Sequence, residues 1–281
     1  MPTRVNFNYL LKCTMLHLCF FVVIFSFILN GVFAAEKSSN MVFIPKGSYI
    51  PLFKFDEDVS DDRIFVDSFF IDKYPITNYE FKTFILNNLK WSVDNVSEIF
   101  VDRGYLSHWH DFDFETIKNY PVVNVSWFAA NAYCSDIGAR LPYIDEWEYV
   151  ASSSQDNPIG KDDPGYLQDV LDWYLNSQAK SLIDVEFMQK NYWGVFGMHG
   201  VIWELVKDFN SVILLNTDSE GGGLEEVLYC GATATNAIDP ADYVAFMRFA
   251  FRNSLEANYT MSHLGFRCVK DVKDVKDVKK D

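Results

Sequence analysis

Apolar and polar positions follow two different periods along this chain. Met41-Val42-Phe43-Ile44-Pro45 is a short apolar run closed by Lys46-Gly47-Ser48, and Arg63 to Asp72 is aromatic-rich with mixed burial; both predict strands. The period then lengthens. Thr77 with Glu80 three residues on has the form of a capping box, and Phe81, Phe84 and Ile85 follow at the spacing of one helical face. Ser126 opens a second predicted helix with Phe128, Ala129, Ala132 and Tyr133 on one face and Gly138 placed to end it. Asp145 to Ala151 predicts a third, short helix. Trp91 to Tyr120 and Ser152 to Tyr192 predict long loops, of a length that usually carries function or is tied down by ions or covalent links. From Trp193 to Cys268 short strands and irregular segments are expected, with Gly221-Gly222-Gly223 a tight turn and Met247 to Asn253 an apolar/basic alternation.

The two ends differ from this middle. Arg4 and Lys12 precede an apolar run from Met15 to Phe33 that holds no acid, and Val32-Phe33-Ala34-Ala35 supplies small residues before the polar Glu36-Lys37-Ser38-Ser39-Asn40. That order predicts a secretory signal over residues 1–34, the alternative being a retained anchor, since the run approaches the roughly 20 residues that span a bilayer. A domain is expected over 41–270, followed by a disordered charged tail over 271–281, where the Lys-Asp-Val repeat is too sparse in apolar groups for a core.

Composition sets the class of protein. With 49% hydrophobic and 17% aromatic residues in 281, the chain has the bulk to fold and is not disordered. A formal charge of −15 makes nucleic acid an unfavourable partner. Loss of the leader, with its two basic groups and no acids, would leave 22 Lys+Arg against 39 Asp+Glu, about −17. Export would also place Cys134, Cys230 and Cys268 where disulfides persist, and an odd number leaves one thiol over.

Several segments carry a resemblance. They are Phe70-Ile71-Asp72-Lys73-Tyr74-Pro75-Ile76-Thr77-Asn78-Tyr79-Glu80; Pro121-Val122-Val123-Asn124-Val125-Ser126-Trp127 with Ala132-Tyr133-Cys134; and Gly138-Ala139-Arg140-Leu141-Pro142 with Glu146-Trp147-Glu148-Tyr149. Gly194-Val195-Phe196-Gly197-Met198-His199-Gly200 with Trp203-Glu204, and Leu264-Gly265-Phe266-Arg267-Cys268, complete the set. In order and spacing they resemble the formylglycine-generating enzyme, or sulfatase-modifying factor, superfamily over about residues 41–270. The resemblance implies an α+β, C-type-lectin-like single domain with long irregular loops.

The same resemblance implies that the catalytic pair is missing. In the true enzymes two cysteines before an Arg-x-x-x-Arg segment bind copper and oxidise a substrate cysteine; aligned on Arg248 and Arg252, those positions hold Asp239 and Val244. Neither side chain replaces a thiolate as soft ligand or redox nucleophile. One family disulfide is matched by Cys134 and Cys268, and a second falls on Ala151 and Phe249, so both of its partners are absent together. Cys230 remains as the odd thiol, at a position matching a turn glycine of the family.

The last third looks like a narrower branch. Trp203-Glu204-Leu205-Val206-Lys207-Asp208-Phe209-Asn210-Ser211, Gly221-Gly222-Gly223-Leu224, Tyr229-Cys230-Gly231, Asp242-Tyr243 with Phe246-Met247-Arg248, and Arg252-Asn253-Ser254-Leu255 are similar to exported nitrite-reductase accessory proteins associated with copper enzymes. A ligand groove framed by Trp203, Arg248, Arg252, His263 and Cys230 is then expected. A calcium site is expected from Glu204 with the carbonyls of Gly200 and Ile202, although Gly197 stands where the family has an Asn or Asp side chain. Copper is a further possibility: Cys230 with His263 and a Met thioether offers soft ligands, and His108-Trp109-His110 could set two imidazoles on one face of an extended segment. Asn95, Asn124 and Asn258 head glycosylation sequons that matter only in a glycosylating host. The function expected is an exported, non-catalytic binding or maturation factor for a copper or nitrite-reductase system, with a protein or peptide partner such as a copper enzyme, and contact with a membrane only if the leader is retained. The alternative is a metal-dependent thiol-oxidising enzyme that uses Cys230.

Overall fold

The structure, a computed structural model, describes residues 40–52, 62–176, 181–209 and 242–273. The chain divides into two compact units, Met1–Met41 and Val42–Asp281, and the fold described below is that of the second. The leader, Cys230, Asp239, the Gly221–Gly223 turn and residues 274–281 lie outside the described residues.

The elements are short. Strands β1 (Met41–Ile44), β2 (Gly47–Tyr49), β3 (Ile64–Val66) and β4 (Phe69–Asp72) come first. Helices α1 (Asn78–Asn87), α2 (His108–Asp111), α3 (Phe114–Ile117), α4 (Trp127–Asp136), α5 (Ile144–Ala151) and α6 (Tyr166–Asn176) follow. Strand β5 (Trp203–Glu204), helix α7 (Tyr243–Asn253), β6 (Leu264–Gly265) and β7 (Val269–Asp271) complete the described chain. The sheets are β1-β4-β7, β2-β3 and the parallel pair β5-β6. Antiparallel pairing of Phe69 with Asp271 and of Ile71 with Val269 brings the two ends of the domain together. This is the expected α+β domain with irregular connections.

The two longest predicted helices form for the reasons their sequences give. The Thr77 hydroxyl accepts from the Glu80 amide at 3.3 Å, and the Glu80 carboxylate accepts from the Thr77 amide at 2.8 Å. Ser126 caps α4 by accepting from the Ala129 amide at 3.2 Å. Gly138, at φ +63°, turns the chain out of α4 in the left-handed region. Between α1 and α4 lies the core: Phe81 packs on Phe84, Tyr133 and Phe266, and the Cys134–Cys268 disulfide closes the same layer.

Four expectations need correction. Met247–Asn253 is no strand but part of α7, because Val244, Arg248 and Arg252 recur every four residues and the Asp242 side chain caps the Ala245 amide at 2.9 Å. The loop after Ser152 contains α6, whose Val170 packs on Val244. Arg63 to Asp72 splits into β3 and β4, which join different sheets. Asp271, expected as the first residue of the tail, ends β7 and pairs with Arg140 at 2.5 Å.

Candidate functional site

A cavity of about 170 Å³ opens between β2, α5 and α7. Ile50, Pro51, Ile144, Leu167, Phe209 and Phe249 give it apolar walls, while Tyr49, Arg63, Asp145, Glu148, Lys161, Asp242, Arg248 and Arg252 add polar groups. Helix periodicity explains the convergence. Asp145 and Glu148 are three residues apart on α5, and Arg248 and Arg252 are four apart on α7, so each helix turns one charged edge toward the other.

Glu148 is the centre of this charge network. It accepts from Arg248 Nε at 3.0 Å and Nη2 at 2.6 Å, and from Arg252 Nη1 at 2.5 Å. Burial alone would raise its pKa, but the two guanidinium charges outweigh that and hold it at about 2. Trp147 supports the cations, with Arg252 Cζ 4.8 Å and Arg248 Cζ 5.7 Å from its ring centroid. Nearby, the Tyr49 hydroxyl donates to Asp145 at 2.6 Å; burial, then the Asp145 and Glu148 charges, push the phenol up, which keeps it protonated. Lys161 pairs with Asp242 at 2.9 Å.

His199 is edge-on to Trp147 and is half-buried. Its Nε2 bonds the Ala151 carbonyl at 2.8 Å, and burial together with the Arg248 charge lowers its pKa to about 4. It is neutral at physiological pH and serves as a packed donor.

The expected groove residues separate. Arg248 and Arg252 line the cavity, whereas Trp203 and His263 are not in its wall. Trp203 stacks on Phe251 with centroids 4.2 Å apart, and its amide donates to the His263 carbonyl at 2.7 Å. The His263 ring meets Ser262 Oγ at 2.9 Å. Val244 is buried against Val170 with Trp203 and Met247. Glu148, Tyr49 and Asp145 were not anticipated as site residues; the signal was the acid in Glu146-Trp147-Glu148, but its partners lie 100 and 104 residues away.

Two of the expected metal sets meet other partners in the structure, while the third, Cys230 with His263, includes a residue outside the described residues. Both oxygens of Glu204 are committed: Oε1 accepts from Arg267 Nη2 at 2.7 Å, and Oε2 accepts from Arg267 Nε at 2.7 Å and Trp147 Nε1 at 2.8 Å. The pair is fully buried, so a calcium ion would have to displace the guanidinium to reach the carboxylate. Gly197, at φ +67°, adds no side chain to such a site. His108 and His110 share one helical turn rather than an extended segment; successive alternate residues of a helix point apart, and His108 is buried with Nε2 2.8 Å from Asn78 Oδ1 while His110 is exposed. Among the described residues no group of three or more His, Cys, Asp or Glu could hold a metal ion.

The chain is 26% identical, over an alignment 289 positions long, to the formylglycine-generating enzyme of Mus musculus, covering 83% of this chain and 75% of that one. It is 25% identical to the serine/threonine-protein kinase pkn1 of Chlamydia caviae, covering 83% of this chain and 38% of that one. Among solved structures, CarF aligns at 16% identity with a TM-score of 0.47, over 83% of this chain and 98% of that one. The family model of the sulfatase-modifying factor enzyme 1-like domain matches residues 29–272. A match across that span, together with the fold, makes this chain a member of the sulfatase-modifying factor enzyme 1-like domain family.

Proposed function

We propose that this family member is an exported, non-catalytic binding or maturation factor whose cavity receives part of a protein or peptide partner. The observation that carries the reading is the pairing of Cys134 with Cys268. Of the three cysteines beyond the leader, that bond uses two, and Cys230 is the one that remains. A reaction that binds copper through a thiolate pair and exchanges one thiolate with substrate needs two cysteines at one site. Val244, packed in an apolar cluster beside the cavity, supports the same reading. Retained instead is a shaped, charge-lined cavity between rigid elements, which is what recognition requires.

Two features of the sequence support the partner's compartment and chemistry. The leader pattern supports export, and the likeness of the last third to nitrite-reductase accessory proteins supports an exported copper enzyme as the partner. Cross-linking of the exported protein with an amine-reactive reagent, followed by mass spectrometry, tests this. Lys161 at the cavity is expected to link to one copper-containing protein. Links spread evenly over distant lysines such as Lys82 and Lys118, with none at Lys161, would contradict a partner at the cavity.

A further inference from the structure

The cavity contains a cation whose donors are only partly used. Arg248 gives both Nε and Nη2 to Glu148, whereas Arg252 gives Nη1 alone. Among the described residues, Nε and Nη2 of Arg252 make no hydrogen bond, although the residue is only 7% exposed and lines the cavity. The remaining carboxylates do not hydrogen-bond to it: Asp242 is taken by Lys161, Asp145 accepts the Tyr49 hydroxyl, and Asp208, whose charge lies near Arg252, accepts from the Ile144 amide at 2.8 Å. The Nε/Nη2 edge of a guanidinium is a planar fork matched to the two oxygens of a carboxylate. Trp147, with its ring centroid 4.8 Å from Cζ, and Glu148, at Nη1, fix that fork before any ligand arrives.

Size narrows the ligand. A volume of about 170 Å³ is close to the roughly 150 Å³ of an engineered cavity that admits benzene, so the space suits one side chain rather than a folded segment. Ile50, Ile144, Leu167 and Phe249 would contact methylene groups, and Arg252 would meet the charged end. We infer that the cavity is a recognition pocket for a peptide carboxylate, either an Asp or Glu side chain or a C-terminus, with the free edge of Arg252 as the specificity-determining group. This rests on the peptide-binding reading proposed above and names what that peptide must carry.

Selection from a displayed library of random heptapeptides with free C-termini, against the full mature chain, tests it. Enriched peptides are expected to share an acidic residue or the terminal carboxylate as a fixed feature. Synthetic versions in which Glu becomes Gln, or in which the C-terminus is amidated, tell the two sources apart, and the one that matters should bind about tenfold more weakly by calorimetry. Arg252→Gln should bind the acidic and amide versions alike, and Arg252→Lys should keep part of the discrimination. The peptide substitutions leave the protein unaltered, so they decide the matter even if the Arg252 variants fold poorly. Enriched peptides whose affinity changes less than twofold on loss of every carboxylate would overturn the carboxylate pocket and leave peptide binding standing. Failure to enrich any peptide would overturn both.

Discussion

Replacement of Glu148 by Gln removes the one carboxylate that Arg248 and Arg252 share, while nearly preserving its shape. In the folded protein Glu148 titrates at about 2 against an ordinary 4.5. That depression corresponds to about 3 kcal/mol of stability. Because the folded value is the lower one, that contribution is complete above pH 4.5 and is lost as pH falls toward 2. The side chain is 13% exposed, so solvent screening takes away little of it. Guanidinium unfolding of the oxidised protein at a series of pH values measures it. At pH 7 Glu148→Gln should be less stable by about 3 kcal/mol with an unchanged denaturant slope, in the range expected when a buried pair loses one partner. The gap should narrow between pH 4.5 and 2 as wild-type Glu148 takes up its proton. A gap that stays constant down to pH 2 would refute the electrostatic reasoning and assign the loss to packing.

Three further outcomes are expected. Cys134→Ser, which opens a link between residues 134 apart, should cost about 5 kcal/mol by the chain-entropy model, read as a lower unfolding midpoint without change in the folded far-ultraviolet spectrum. His199 titrates at about 4 rather than 6.5, so wild-type stability is complete above pH 6.5 and declines between 6.5 and 4; His199→Gln should flatten that part of the pH profile. N-terminal sequencing of exported material should begin at residue 35 or 36, and a sequence beginning at Met1 would favour a retained anchor.

What could be read in the sequence was what depends on near neighbours. The Thr77/Glu80 capping box, the Ser126 cap and the Gly138 exit all rest on contacts within a few residues, and each forms as its spacing implies. The site depends on distant ones. Met247 to Asn253 looked like an alternation because its apolar residues occupy several faces, and only the charge partner on α5 shows that Arg248 and Arg252 belong to one helical edge. Glu204 was read as a calcium ligand from its resemblance alone, whereas its hydrogen bond to Arg267 depends on a residue 63 positions away. His108 and His110 were separated by a helical turn too short to leave a periodic signal.

Absence of turnover is the central claim, and one reaction tests it. Purified mature protein is incubated with copper, oxygen and a cysteine peptide of the sulfatase type, and the peptide mass is followed. The peptide thiol should persist, with no aldehyde formed above the level seen without protein, since the described cysteines are locked in the Cys134–Cys268 bond. Conversion of the thiol to formylglycine, abolished in Cys230→Ala, would contradict the account and establish a thiol-oxidising enzyme built on Cys230.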